Sequence, residues 1–228
     1  MPTEEYLPRR DLLKGGLAVG GIAAAAGMPF WSKLALAQDE VLVPFTDVPE
    51  GFTAPPVTPG GFHFLDTRYI ETFYTDVDDF YIVQHYNQPT IPEESYRLRI
   101  TGMVDRPTEI DLAELKSLDK VEIDAGFECG GNNNGLFHGL IGNARWGGVR
   151  LPDLLREAGI QEGGIEIVFY GADKGTENIR DVDAEQSFGR SMHVEDAMRP
   201  EVLVAYEMNG APLNLYHGAP VRLVVPGW

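Results

Sequence analysis

The alternation of apolar and polar positions is clearest before the middle of the chain, where Val121, Ile123, Ala125 and Phe127 alternate with Glu122, Asp124 and Glu128. A period of two is that of a strand with one buried face. Tyr96 to Ile100 alternates in the same way. Phe80 to Tyr86 is rich in β-branched and aromatic residues and predicts a strand running into Asn87-Gln88-Pro89. Ile165 to Tyr170 predicts a strand that delivers Gly171-Ala172-Asp173 to its tip, and the polar stretch from Lys174 to Gly189 reads as a loop. Val202 to Tyr206 predicts another strand, followed by Asn209-Gly210, a strong tight-turn signal. Asp111 with Glu114 three residues on forms a capping box for a short helix through Leu118. Pro152 to Ala158 has proline and an acid in its first turn and Gly159 past its end, which predicts a second helix with a defined stop. Strands outnumber helices without regular βαβ alternation, so the expected fold is α+β on a mixed sheet.

The first 37 residues read as an address rather than fold. Arg9-Arg10-Asp11-Leu12-Leu13-Lys14 is a twin-arginine pattern, Gly15 to Phe30 is weakly apolar, and Ala35-Leu36-Ala37 is a small-x-small cleavage site. A membrane anchor is the alternative, but the run is short and rich in glycine and alanine. The expectation is a leader over 1–37, no stable membrane anchor, and export to the periplasm in the folded state. Residues 38–68 are rich in proline and glycine and read as an extended arm, with the main domain over 69–228.

The chain carries 18 basic and 35 acidic residues, a net charge of −17. Nucleic acid is excluded as an expected partner, because phosphate binding needs a basic face. Neither GxGxxG nor GxxxxGK[ST] occurs, so no nucleotide-binding motif is present. Cys129 is the single cysteine, which rules out an internal disulfide. A lone cysteine is ordinarily a small buried hydrophobe. This one stands where a predicted strand opens into Gly130-Gly131-Asn132-Asn133-Asn134-Gly135, residues that tolerate unusual backbone angles and expose main-chain N–H groups. That placement suits a thiolate held against a metal. Folded export points the same way, since it carries proteins already assembled around a cofactor.

Four segments together resemble the molybdopterin-binding domain of the sulfite oxidase family, in its exported bacterial branch. They are Phe80 to His85; Glu128 to Asn132 with Gly139 to Leu151; Tyr170 to Asp173; and Ala205 to Leu213 running on through His217-Gly218-Ala219-Pro220-Val221-Arg222 to Pro226-Gly227. The resemblance implies that Cys129 ligates molybdenum. It implies that Tyr81, Ile82, Val83, Gln84 and His85 lie against the pyranopterin, and that Asp173, His217 and Arg222 hold the cofactor's polar ring and phosphate. The implied cofactor is Mo-molybdopterin. The implied activity is oxygen-atom transfer to sulfite or a related small sulfur compound, with electrons passed to a c-type cytochrome. The alternatives are reduction of a sulfoxide at the same site, or a non-catalytic periplasmic scaffold of the same fold.

The sequence departs from the family at Val83, where an arginine facing substrate is usual, and at Asn133 and Asn134, where two more arginines stand. Arg145, Arg150 and Arg190 are the cations expected to compensate. The sequence stops at Trp228 just past an apolar run, and a further segment is expected to bear an active-site tyrosine and a domain through which a homodimer forms.

Overall fold

The computed structural model describes residues 62–132 and 139–228. The expected leader, the arm up to residue 61, and Asn133 and Asn134 lie outside the described residues. In chain order the elements are β1 (Arg97–Ile100), β2 (Thr108–Asp111), α1 (Leu112–Ser117), β3 (Val121–Glu128), β4 (Ile141–Arg150) and α2 (Leu151–Ala158). They continue with β5 (Glu166–Ile179), β6 (Val182–His193), α3 (Val194–Ala197), β7 (Leu203–Met208), β8 (Ala211–Pro212) and β9 (Arg222–Val224). The fold is α+β, as expected.

The alternating segment forms β3, which pairs antiparallel with β4, Val121 opposite Gly148 and Glu128 opposite Ile141. β4 pairs antiparallel with β7, and β7 in turn takes β8 and β9 as antiparallel partners. Both faces of this sheet are covered. Along β7, Leu203, Ala205 and Met208 enter one core with Phe80, Ala144 and Trp146, while Val204 and Tyr206 enter the other with Leu115, Leu154 and Leu155. Burying each such side chain contributes roughly 1.5–3 kcal/mol, so packing rather than intrinsic propensity holds the short helices α1 and α2 in place.

Both helices begin and end within one residue of the sequence expectation. In α1 the Glu114 N–H donates to Asp111 Oδ1 at 2.8 Å, and the Asp111 N–H donates to Glu114 Oε2 at 2.9 Å. After α2 the chain turns at Gly159, whose φ of 72° is the left-handed conformation that glycine adopts without strain.

Two expectations fail. Phe80 to Tyr86 is not a strand: its one ladder contact is the isolated bridge between Ile82 and His63. Its aromatic residues have different partners instead. Phe80 enters the core beneath Gly142, and Tyr86 covers Gly175 in β5. The stretch from Lys174 to Gly189 is not a loop. β5 and β6 form a long antiparallel hairpin closed by Arg180 and Asp181, both at positive φ. The register shifts between Tyr170 and Lys174, so Gly171, Ala172 and Asp173 form a bulge within β5 rather than the tip of a strand.

Candidate cofactor site

Alternate residues of a strand share a face, and Ala125 and Phe127 place one face of β3 in the core with Trp146. Cys129 is the next residue on that face. The ladder runs one pair beyond β3, since Cys129 N donates to Leu140 O at 2.9 Å. The thiol is free and half-buried. Phe127 stacks on Trp146 with ring centres 4.9 Å apart, and the Trp146 indole N–H donates to Ala125 O at 3.2 Å.

Arg222, at the start of β9, lies against this aromatic pair. Its guanidinium carbon is 5.1 Å from the Phe127 ring centre and 5.0 Å from that of Trp146. One of its N–H groups donates to His217 O at 3.1 Å. Burial pushes the Arg222 pKa down to about 10, with Tyr81 opposing the fall. Among the described residues no carboxylate pairs with it.

His217 closes a 3-10 turn whose N-cap is Asn214. Asn214 Oδ1 accepts from the His217 backbone N–H at 3.0 Å and lies 2.8 Å from His217 Nδ1. The ring packs edge-on to Phe80 and is 3 % exposed, and Nε2 has no hydrogen-bond partner among the described residues. Burial and the nearby Arg222 charge lower its pKa from 6.5 to about 4, while backbone groups of Tyr81 and Phe80 oppose the shift. Tyr81 stacks on Phe80 with ring centres 5.4 Å apart. Its pKa is raised by burial and by its closeness to Cys129, against the pull of Arg222. Tyr81, Cys129, His217 and Arg222 are thus brought together.

A second group forms on the β5–β6 hairpin. His85 Nε2 is 3.5 Å from Glu177 Oε1, and the Tyr86 hydroxyl donates to the same oxygen at 3.1 Å. His85 also faces the Phe188 ring at 5.5 Å. Asp173, in the bulge, is near enough to help raise the Tyr86 pKa, after burial and Glu177. Among the described residues no direct contact joins this group to Cys129. Between the two groups run Ile82, which is buried, Val83, which is exposed, and Gln84, which is half-buried.

Of the three expected compensating cations, Arg145 and Arg150 go elsewhere and Arg190 joins the His85 group on the hairpin. Arg145 pairs with Asp124 at 2.9 Å and lies 5.1 Å over the Tyr74 ring, on the sheet face opposite Phe127 and Trp146. A groove of about 700 Å³ lined by Tyr74, Glu122, Arg145 and Asn209 opens there, away from Cys129. Arg150 is exposed at the head of α2, and Arg190 lies 4.4 Å over Phe188.

Sequence reasoning missed Asn214, Tyr86 and Glu177. The first was legible as a capping residue three positions before His217. The other two meet across 91 positions of sequence, a separation no local pattern encodes.

A guanidinium with no carboxylate partner, a buried imidazole nitrogen without a partner among the described residues and a free thiol on one face suit an anionic, hydrogen-bonding group beside a thiolate-bound metal. The sequence model of the oxidoreductase molybdopterin binding domain matches residues 85–228. The chain belongs to the sulfite oxidase family of molybdopterin-binding oxidoreductases. Mitochondrial sulfite oxidase of Drosophila melanogaster is 37% identical over 172 residues, covering 69% of this chain and 29% of that protein. Sulfite oxidase of Arabidopsis thaliana is 32% identical over 180 residues, covering 69% and 44%. The crystal structure of the sulfane dehydrogenase SoxCD from Paracoccus pantotrophus superposes with a TM-score of 0.63 at 28% identity, covering 89% of this chain and 54% of that one. This family member spans less than half the length of these curated relatives.

Proposed function

We propose that the chain holds Mo-molybdopterin in an exported oxidoreductase that transfers an oxygen atom to a small sulfur compound and passes the electrons to a c-type cytochrome. The observation carrying this reading is the single face on which Cys129, Tyr81, His217 and Arg222 converge. When bound, the cofactor supplies oxygen-atom transfer and two-electron redox chemistry.

The chain's own residues bind and orient. Cys129 gives a soft anionic ligand, which suits a metal already held by dithiolene sulfur. Arg222 offers charge-assisted N–H donors to an anionic part of the cofactor, with its head held by two rings. His217 is uncharged at neutral pH, its Nδ1 lies 2.8 Å from Asn214 Oδ1, and its Nε2 is left for a hydrogen bond with the cofactor. On this reading, Tyr81, Ile82, Val83, Gln84 and His85 line one side of the ring system, and Asp173 approaches it from the hairpin bulge. The leader over 1–37 and delivery to the periplasm belong to the same proposal, supported by Arg9-Arg10 and Ala35-Leu36-Ala37. So does a homodimer.

The test is metal analysis of full-length protein from the periplasmic fraction of molybdate-fed cells. It should contain about one molybdenum per chain. Cys129→Ala should abolish turnover and leave a folded protein. Measurable turnover by that variant would remove Cys129 from the metal.

A second reading of the substrate has its own support. Arg145 pairs with Asp124 on the other face of the sheet, Arg150 heads α2, Arg190 is taken up by the Phe188 ring, and Val83 adds no charge. An oxyanion such as sulfite gains little from such a pocket, whereas a neutral sulfoxide, or a sulfane of the kind named in SoxCD, needs no cation. Cytochrome reduction with sulfite, set beside dye oxidation with a sulfoxide, separates the two.

A further inference from the structure

The ladder pair that presents Cys129 is incomplete in an informative way. Cys129 N donates to Leu140 O, but the reciprocal bond from Leu140 N to Cys129 O is not made. Asn132 replaces both halves of it. The Asn132 backbone N–H donates to Cys129 O at 2.8 Å, and its side-chain Oδ1 accepts from Leu140 N at 3.2 Å. The same side chain turns its Nδ2 to Glu128 Oε1 at 2.9 Å. One amide therefore links the residues before and after Cys129 to the facing strand.

We propose that Asn132 is the positioning residue for the Cys129 thiolate, an inference that rests on Cys129 being the metal ligand. Gly130 and Gly131 follow Cys129 directly and carry no side chain to restrict their backbone angles. Asn132, next in the chain, ties this stretch back to Cys129 and Leu140. The residue type is dictated by its two neighbours. Leu140 N–H requires an acceptor and the Glu128 carboxylate requires a donor, and a primary amide of this length offers one of each. A carboxylate would satisfy Leu140 and repel Glu128; an apolar side chain would leave a backbone N–H unpaired.

Cys129 is the only cysteine in these 228 residues. In cofactor-free full-length protein, iodoacetamide labelling of Cys129, read by peptide mapping, reports how firmly the turn from Cys129 to Asn132 is held, without any metal. Asn132→Leu should raise the labelling rate roughly thirtyfold, as expected for losing one neutral hydrogen bond and one to a carboxylate in a local opening equilibrium. In the molybdenum-loaded protein the same variant should shift the Mo(V) electron paramagnetic resonance signal. Asn132→Asp should behave like Asn132→Leu, and adding Glu128→Gln, which exchanges donor and acceptor, should restore both readouts. Circular dichroism fixes the fold throughout. If Asn132→Leu does not fold, the Asp variant with and without Glu128→Gln decides alone. Wild-type labelling and an unchanged signal in Asn132→Leu would overturn the proposal, as would failure of Glu128→Gln to rescue Asn132→Asp. Labelling needs no metal, so a chain that never takes up molybdenum defeats the cofactor reading while the labelling result stands.

Discussion

Arg222 and His217 stand five residues apart, and the half-buried guanidinium and the buried imidazole each lose contact with water at a cost that the described protein repays only in part. The guanidinium recovers part through the rings of Phe127 and Trp146 and the carbonyl of His217. The imidazole recovers part through Asn214. What is left over would be returned by a bound anion, and the cost itself is measurable in its absence. His217 has its folded pKa lowered from 6.5 to about 4. Above pH 6.5 the ring is neutral whether the chain is folded or not, and its contribution to stability is complete. As pH falls below that value the unfolded chain takes up the proton and the folded one resists, so stability drains away until both are protonated near pH 4. Between about pH 7 and about pH 5 the cofactor-free protein should lose about 2 kcal/mol more than His217→Gln does. Urea midpoints of the two proteins at both pH values check this. Equal losses would show that His217 is not held neutral.

At the scale of elements, the glycines of the central sheet are set by how closely its strands approach. A Cβ at Gly148 would fall 2.1 Å from Val204 O, where β4 and β7 shift register, and backbone cannot move aside cheaply. Gly210, in the turn between β7 and β8, has open space around it and only a φ of 79° to protect. Gly148→Ala should therefore cost several kcal/mol or prevent folding, whereas Gly210→Ala should cost about 1 kcal/mol. Thermal unfolding of the two variants tests the ranking, and equal costs would mean that β4 can shift away from β7. The elements the sequence announced are those whose signals are local. β3 alternates, α1 carries both halves of a capping box, and Asn209-Gly210 closes its turn at φ of 52° and 79°. The β5–β6 hairpin was illegible because its turn uses Arg180 and Asp181 at positive φ with no glycine or asparagine, and because its strands are mostly polar. Phe80 to Tyr86 misled for the opposite reason. β-branched and aromatic residues describe fitness for a half-buried surface rather than a strand, and this segment has that surface without a partner beyond the bridge to His63. For the site, Cys129 was legible from its place at a strand end. That Arg222 would rest on Phe127 and Trp146 was not, since the contact is made by β9 meeting β3 and β4 through the fold.

At the largest scale the governing quantity is the net charge of −17 that these 228 residues carry. The proposed leader carries four basic residues (Arg9, Arg10, Lys14, Lys33) and three acidic ones (Glu4, Glu5, Asp11), so its removal makes the remaining chain one unit more negative. A field of that sign does little for a small neutral substrate, but it selects among electron acceptors by their charge. A basic c-type cytochrome would be drawn in and an anionic oxidant turned away, and salt would weaken both effects. Reoxidation of the loaded enzyme can be followed after reduction with dithionite and desalting, so the result does not depend on which sulfur compound is the natural substrate. With a basic cytochrome c the second-order rate constant should fall roughly tenfold as ionic strength rises from about 0.01 M to about 0.15 M, because the Debye length shrinks from about 30 Å to about 8 Å. With ferricyanide it should rise over the same range. The opposed slopes carry the argument, because a general effect of salt on the enzyme would move both rates the same way. Slopes of one sign, or none, would mean that the acceptor meets a surface where the overall charge is not felt, and the proposed cytochrome partner would lose its electrostatic basis.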